Sequence, residues 1–109
     1  MAVIERDAII VNPLGMHARP AAEFVKVAGR FRSQVEVRKD GLTVNGKSIM
    51  GVMMLAAECG SSVVIRADGD DAEEAMAALL ALVADGFHEM GGIDSEPEEE
   101  DGGEEAAAS

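Results

Sequence analysis

The chain has no tryptophan and no tyrosine, and phenylalanine occurs only three times. Its core must therefore be assembled from Val, Ile, Leu, Met and Ala. A single cysteine, Cys59, excludes a disulfide framework and a cysteine-built metal cluster, and is expected to be a structural residue. No apolar run approaches the length that crosses a bilayer, so no direct membrane insertion is expected. The N-terminal residues lack the basic and apolar regions of a secretory leader, and the cytoplasm is the expected compartment. Basic residues are scarce, nine against twenty-one acidic ones, for a net charge of −12. They are also unevenly placed. Residues 1–88 hold all nine bases against twelve acids, a net of −3, whereas residues 89–109 hold nine acids and no base. Nucleic-acid binding needs clustered Lys and Arg to meet phosphates, so it is excluded as a function class.

At 109 residues there is room for one domain with a single modest core. The segment "GGIDSEPEEEDGGEEAAAS" offers almost nothing to bury and is expected to be disordered. The expected division is a folded domain over residues 1–88, closing near Phe87, and an acidic tail over residues 89–109.

Local patterns give the element order of that domain. "AVIERDAIIV" is rich in β-branched residues and reads as a strand that Asn12-Pro13 ends. From Ala18 to Ala28, the residues Ala21, Phe24, Val25 and Ala28 share one helical face, with Pro20 in the first turn and Gly29 at the exit. "QVEVRK" alternates strictly, Asp40-Gly41 signals a hairpin, and Leu42, Thr43 and Val44 form a short return strand. Ser48 reads as the N-cap of a short helix, "IMGVMMLAA", ending near Gly60. "SSVVIRAD" is the last strand. Asp70 and Asp71 open a final helix whose buried stripe is Ala72, Ala75, Met76, Leu79, Leu82 and Val83. The order is β-α-β-β-α-β-α, an α+β domain with a four-stranded antiparallel sheet and three helices on one face.

One motif points elsewhere. "GLTVNGKS" matches the G-x-x-x-x-G-K-S pattern of a nucleotide-binding P-loop. A true P-loop follows a parallel central strand and leads into a helix. Here the intervening residues are a hairpin strand and a turn, and the chain is too short for a parallel sheet covered on both faces. The motif is not an ATP site.

"LGMHARPAAEFV" is more informative. His17 precedes a helix whose first turn holds Ala18, Arg19 and Pro20. The positive potential at a helix N-terminus disfavours the imidazolium and leaves a nitrogen lone pair for nucleophilic attack. A phosphoryl group on that nitrogen would meet backbone N–H groups and the helix dipole together. Arg19 could add charge-assisted hydrogen bonds, and Gly15 allows a close approach. Such a site needs neither metal nor cofactor. An isolated histidine at a helix start is more often an ordinary surface residue, and the clustering alone does not decide between the two readings.

The segment "GMHARPAAEFVKVAGRF" resembles the active-site segment of the HPr family, the histidine-containing phosphocarriers of the bacterial phosphotransferase system. "GKSIMGVMML" resembles the family's second signature, around a regulatory serine. The resemblance covers about residues 3–88 with the spacing between signatures intact. It implies the family's open-faced β-sandwich and a carrier, not an enzyme. It implies that His17 takes a phosphoryl group on Nδ1 from Enzyme I, itself charged by phosphoenolpyruvate, and passes it to an EIIA domain, with Arg19 attending the phosphate. It further implies that Ser48 is phosphorylated by HPr kinase/phosphorylase, so that Lys47-Ser48 meets ATP as a kinase substrate. "NPLGMHARP" is closer to the nitrogen-related branch and "KSIMGVMML" to the serine-regulated sugar carriers; the acidic tail matches neither.

Ile49, Met50, Met53 and Met54 exceed what so short a helix can bury. Ile49, Met50 and Met53, together with Met16 and Ala18 beside the histidine, are expected at a partner interface, with Met54 or Leu55 in the core. Lys26, Arg30, Arg32 and Lys47 are candidates for steering acidic partners, and His88 is expected in solvent at a helix end. A monomer is expected. The competing function is a purely regulatory binding protein acting through Ser48 on transcription or enzyme partners; relatives of that kind lack the active histidine.

Overall fold

The computed structural model describes residues 2–88, and the acidic tail expected over residues 89–109 lies outside the described residues. The strands are β1 (Ala2–Ile9), β2 (Gln34–Lys39), β3 (Leu42–Asn45) and β4 (Ser62–Gly69). The helices are α1 (Ala18–Ala28), α2 (Ile49–Met54) and α3 (Ala72–Ala84). They succeed one another in the expected order, β1-α1-β2-β3-α2-β4-α3.

The sheet has the spatial order β1-β4-β2-β3, with every neighbouring pair antiparallel. Its central strands, β4 and β2, alternate as the period of two demands. Val63, Ile65 and Ala67 on β4, with Val35 and Val37 on β2, are buried on one face. The other face carries Arg66, whose guanidinium lies 3.6 Å from Glu5, 3.6 Å from Glu36 and 3.9 Å from Asp68. These pairs are half exposed and contribute little stability individually. They do make this face compatible with water, and among the described residues the helices cover only the opposite side of the sheet.

Helix α3 lies over β1 and β4, α1 packs beside α3, and α2 packs on α1 and against β3. Each residue of the expected α3 stripe is buried: Ala72, Ala75, Met76, Leu79, Leu82 and Val83. Phe24 of α1 and Phe87, just beyond α3, close the core. Phe87 sits in the left-handed region, and its amide turns back to donate to the Leu82 carbonyl at 3.0 Å. That bond satisfies a helix-end acceptor and buries the ring.

The hairpin signal at Asp40-Gly41 is realised, both residues having positive φ (51° and 85°). The P-loop-like stretch is therefore the second arm of an antiparallel hairpin and the turn after it. Helix α2 is shorter than its apolar run. It ends at Met54, and Ala56 adopts a φ of 49°. The reason lies outside the helix: the buried Ala57 offers its carbonyl to the Met16 amide at 2.7 Å. This tertiary bond draws the chain out of the helical path.

Candidate functional site

The loop between β1 and α1 is fixed from both sides. Asn12 and Gly15 close a turn, the Gly15 amide donating to the Asn12 carbonyl at 3.0 Å, with Pro13 pre-set at its second position. The Asn12 side chain is fully buried, and its Nδ2 donates to the Gly15 carbonyl at 2.7 Å. The same carbonyl accepts from the His17 amide at 3.0 Å. On the far side, Gly15 lies against the segment after α2. A Cβ at Gly15 would stand 2.5 Å from the Ala57 oxygen and 2.9 Å from the Glu58 Cα, both backbone atoms. Its φ of +71° also belongs to the left-handed region. Only glycine closes this junction without displacement.

The junction delivers His17 to the N-cap position of α1, with extended backbone angles (φ −88°, ψ −167°). Its carbonyl accepts from the Ala21 amide at 3.0 Å, and its side chain makes no capping hydrogen bond. The amides of Ala18 and Arg19 have no helical carbonyl ahead of them and so stand at the open end of α1, while Pro20 in the same turn has no N–H to satisfy. The first turn of α1 holds no acidic side chain, so nothing within the helix neutralises that positive end. Arg19 is exposed beside it. A half-buried imidazole, two helix-end amides and an exposed guanidinium together suit an anion carried on the ring. Among the described residues no group of His, Cys, Asp and Glu is placed to hold a metal ion.

Ser48 caps α2 as its sequence context suggests. Its Oγ accepts from the Gly51 amide at 3.1 Å. Lys47, just before it, donates from Nζ to the Phe31 carbonyl at 2.8 Å and from its amide to Asn45 Oδ1 at 2.8 Å. The preceding turn is thereby tied to the end of the α1 segment. Since α2 packs on α1 and its trailing segment clamps Gly15, Ser48 and His17 open two adjoining helices.

The remaining candidates separate clearly. Ile49, Met50 and Met53 are exposed, Met50 to 76%. Ala18 is also exposed. Met16 is not at the surface: it is 5% exposed and belongs to the core. Its backbone is pinned to buried Ala57, and the side chain turns inward with it. Of the pair Met54 and Leu55, Leu55 is the core residue, while Met54 is 66% exposed. Cys59 is exposed, in a turn closed by the Ser61 amide donating to the Glu58 carbonyl, and its Sγ donates to the Val11 carbonyl at 3.7 Å, tying that turn to the end of the β1 segment. Two contributors escaped the sequence reading. Asn12, read there only as a strand breaker, orients the loop. Leu14, three residues before the histidine and noted in the sequence only as part of "NPLGMHARP", is 78% exposed.

Known proteins match this arrangement. The family model described as the PTS HPr component phosphorylation site matches residues 4–85. The phosphocarrier protein HPr of Cupriavidus necator is 53% identical over 87 residues, 80% of this chain and 98% of that protein. The HPr-like protein Crh of Halalkalibacterium halodurans is 44% identical over 81 residues, 74% of this chain and 96% of that protein. The crystal structure of an HPr from Thermoanaerobacter tengcongensis superposes with a TM-score of 0.76 at 49% identity, covering 79% of this chain and 97% of that one.

Proposed function

The chain belongs to the HPr family of phosphotransferase-system phosphocarriers, and from that premise we propose that His17 is the residue that carries the phosphoryl group. Phosphorylated Enzyme I docks on the face formed by the start of α1 and the exposed flank of α2. A ring nitrogen of His17, Nδ1 by the family's pattern, attacks the phosphorus. The new N–P bond forms as the bond to the donor breaks, and the donor group leaves with its electron pair. The same step in reverse sense delivers the group to an EIIA domain. Residues 1–88 carry this activity as a monomeric domain.

The observation that carries the reading is the uncompensated N-terminus of α1 beneath His17: two helix-end amides, no acid in the first turn, and Arg19 alongside. These groups favour the added negative charge without having to rearrange, which is how fixed dipoles stabilise a transferring phosphoryl group. Ser48 is the proposed regulatory position. A phosphate from HPr kinase/phosphorylase on its Oγ would place charge amid Ile49, Met50 and Met53, on the docking face.

The test is incubation with Enzyme I and phosphoenolpyruvate, followed by detection of acid-labile phosphate. One phosphoramidate per chain is expected, and none on the His17→Ala variant with its fold intact. Phosphate retained by that variant would refute the assignment.

A further inference from the structure

Two exposed bases of α1, Arg19 and Lys26, are seven residues apart and share one side of the helix, and exposed Arg30 follows in the turn just past its Gly29 cap. At 1.5 Å rise per residue this basic stripe runs about 17 Å, from the His17 end of α1 to just beyond its last turn. Beside its far end is a groove of about 420 Å³ between α1 and α3, bounded by Val27, Arg30, Ala78, Leu82, Asp85 and His88. Its floor is apolar. The Asp85 carboxylate at its mouth is already engaged, 2.6 Å from His88 Nδ1. The chain leaves the described structure at His88, on the rim of this groove.

The residues after His88 complement both features in order. Met90 and Ile93 come first, apolar as the groove floor is. Then residues 94–105 supply Asp94, Glu96, Glu98, Glu99, Glu100, Asp101, Glu104 and Glu105, with no base among them. An extended chain advances roughly 3.3 Å per residue, so the seven steps from Asp94 to Asp101 cover about 23 Å, enough to pass from Arg30 to Arg19. We propose that residues 89–105 fold back along the α1–α3 groove and lay their carboxylates on the Arg19–Lys26–Arg30 stripe, as an intramolecular competitor for acidic partners. Tethering makes the contact independent of protein concentration and raises the effective concentration of carboxylate at the stripe. Glu23 on α1 is the one acid interrupting the stripe, and it limits the contact to a weak, screenable one. The consequence for phosphoryl transfer rests on the carrier reading above; the contact itself does not.

A nitroxide on the tail tests the contact without any transfer assay. The label is placed by Glu100→Cys in the full chain carrying Cys59→Ser, and ¹⁵N amide intensities are compared with those of the reduced label. At low ionic strength, amides of residues 18–30 other than Pro20 should lose intensity while those of Val64, Arg66 and Asp68 on the outer sheet face keep theirs. The loss should disappear at 1 M salt, where the screening length falls to about 3 Å, and should weaken in Lys26→Gln/Arg30→Gln. No loss, or equal loss on both faces, would overturn the proposal. So would loss seen when labelled, isotope-free chains are mixed with unlabelled ¹⁵N chains, since that reports contact between copies.

Discussion

The Asp71 carboxylate holds the segment just after α1: its Oδ1 accepts from the Ser33 hydroxyl at 2.5 Å and the Ser33 amide at 2.9 Å, and its Oδ2 accepts from the Arg32 amide at 2.8 Å. Asp71 is the N-cap of α3 yet makes no side-chain cap to that helix. It directs its acceptors across the fold instead, joining the start of α3 to the entrance of β2. The Ser33 hydroxyl and the Arg32 amide bond the ionised form, and hold the carboxyl at about 2, below its usual 3.8.

The direction of this shift sets an acid dependence. A carboxyl whose folded pKa is depressed stabilises the fold fully above its unfolded value and loses that contribution as pH falls through the folded value. The window is therefore from about 4 down to about 2. The melting temperature of Asp71→Asn should lie below that of the unsubstituted chain at neutral pH, and the gap should close across that window. Thermal melts over a pH series check this; a gap constant from pH 5 to pH 2 would remove Asp71 from the account.

A glycine pair separates steric closure from backbone preference. Gly15 and Gly41 both have positive φ, +71° and +85°, but nothing lies within 4 Å of a Cβ at Gly41. Gly41→Ala should cost only the left-handed preference, about 1–2 kcal/mol. Gly15→Ala adds a collision with backbone at 2.5 Å and 2.9 Å, so it should cost more. It should also slow phosphorylation of His17 by moving the strap that carries it. Urea unfolding of both variants decides; equal costs would mean that Ala57 does not clamp the loop.

Local patterns were legible in the sequence, and the physical reason is range. The α3 stripe, the Pro20 and Gly29 boundaries of α1 and the Asp40-Gly41 hairpin each depend on residues within a few positions of one another. The early end of α2, the burial of Met16 and the Asp71–Ser33 tie depend on partners 38 or more residues apart. No periodicity encodes such pairs. Part of the site was legible for the same reason. Ser48 as cap and His17 at the head of α1 are local patterns, whereas the clamp of Ala57 and Glu58 on Gly15 is not.

Arg19 lies at the proposed phosphate, and its side chain is exposed rather than part of the core. Arg19→Ala should therefore leave the melting temperature nearly unchanged and slow phosphoryl transfer to His17. A hydrogen bond to a charged group contributes about 1.5–3 kcal/mol, which corresponds to roughly tenfold to a hundredfold in rate. Stopped-time assays with Enzyme I and phosphoenolpyruvate measure it. Unaltered kinetics would exclude the guanidinium from the phosphoryl site.

Ser48 separates a structural role from a regulatory one, because the same hydroxyl serves both. As the cap of α2 it accepts from the Gly51 amide, and Ser48→Ala should cost about 1 kcal/mol. Aspartate at this position keeps an oxygen for that amide and brings a charge the helix N-terminus favours, so Ser48→Asp should retain stability better than alanine does. Its effect on docking is opposite. The carboxylate would stand beside the exposed Ile49, Met50 and Met53, where a partner must strip water from it and, if acidic, repel it. Phosphorylation of His17 at sub-saturating Enzyme I should slow on the order of tenfold, the scale of a 1.4 kcal/mol loss in affinity. At saturating Enzyme I the rates should converge, since His17 is untouched. Denaturant titration gives the first half of this prediction and a concentration series of Enzyme I the second. Equal rates at low Enzyme I would leave Ser48 a helix cap with no part in partner binding.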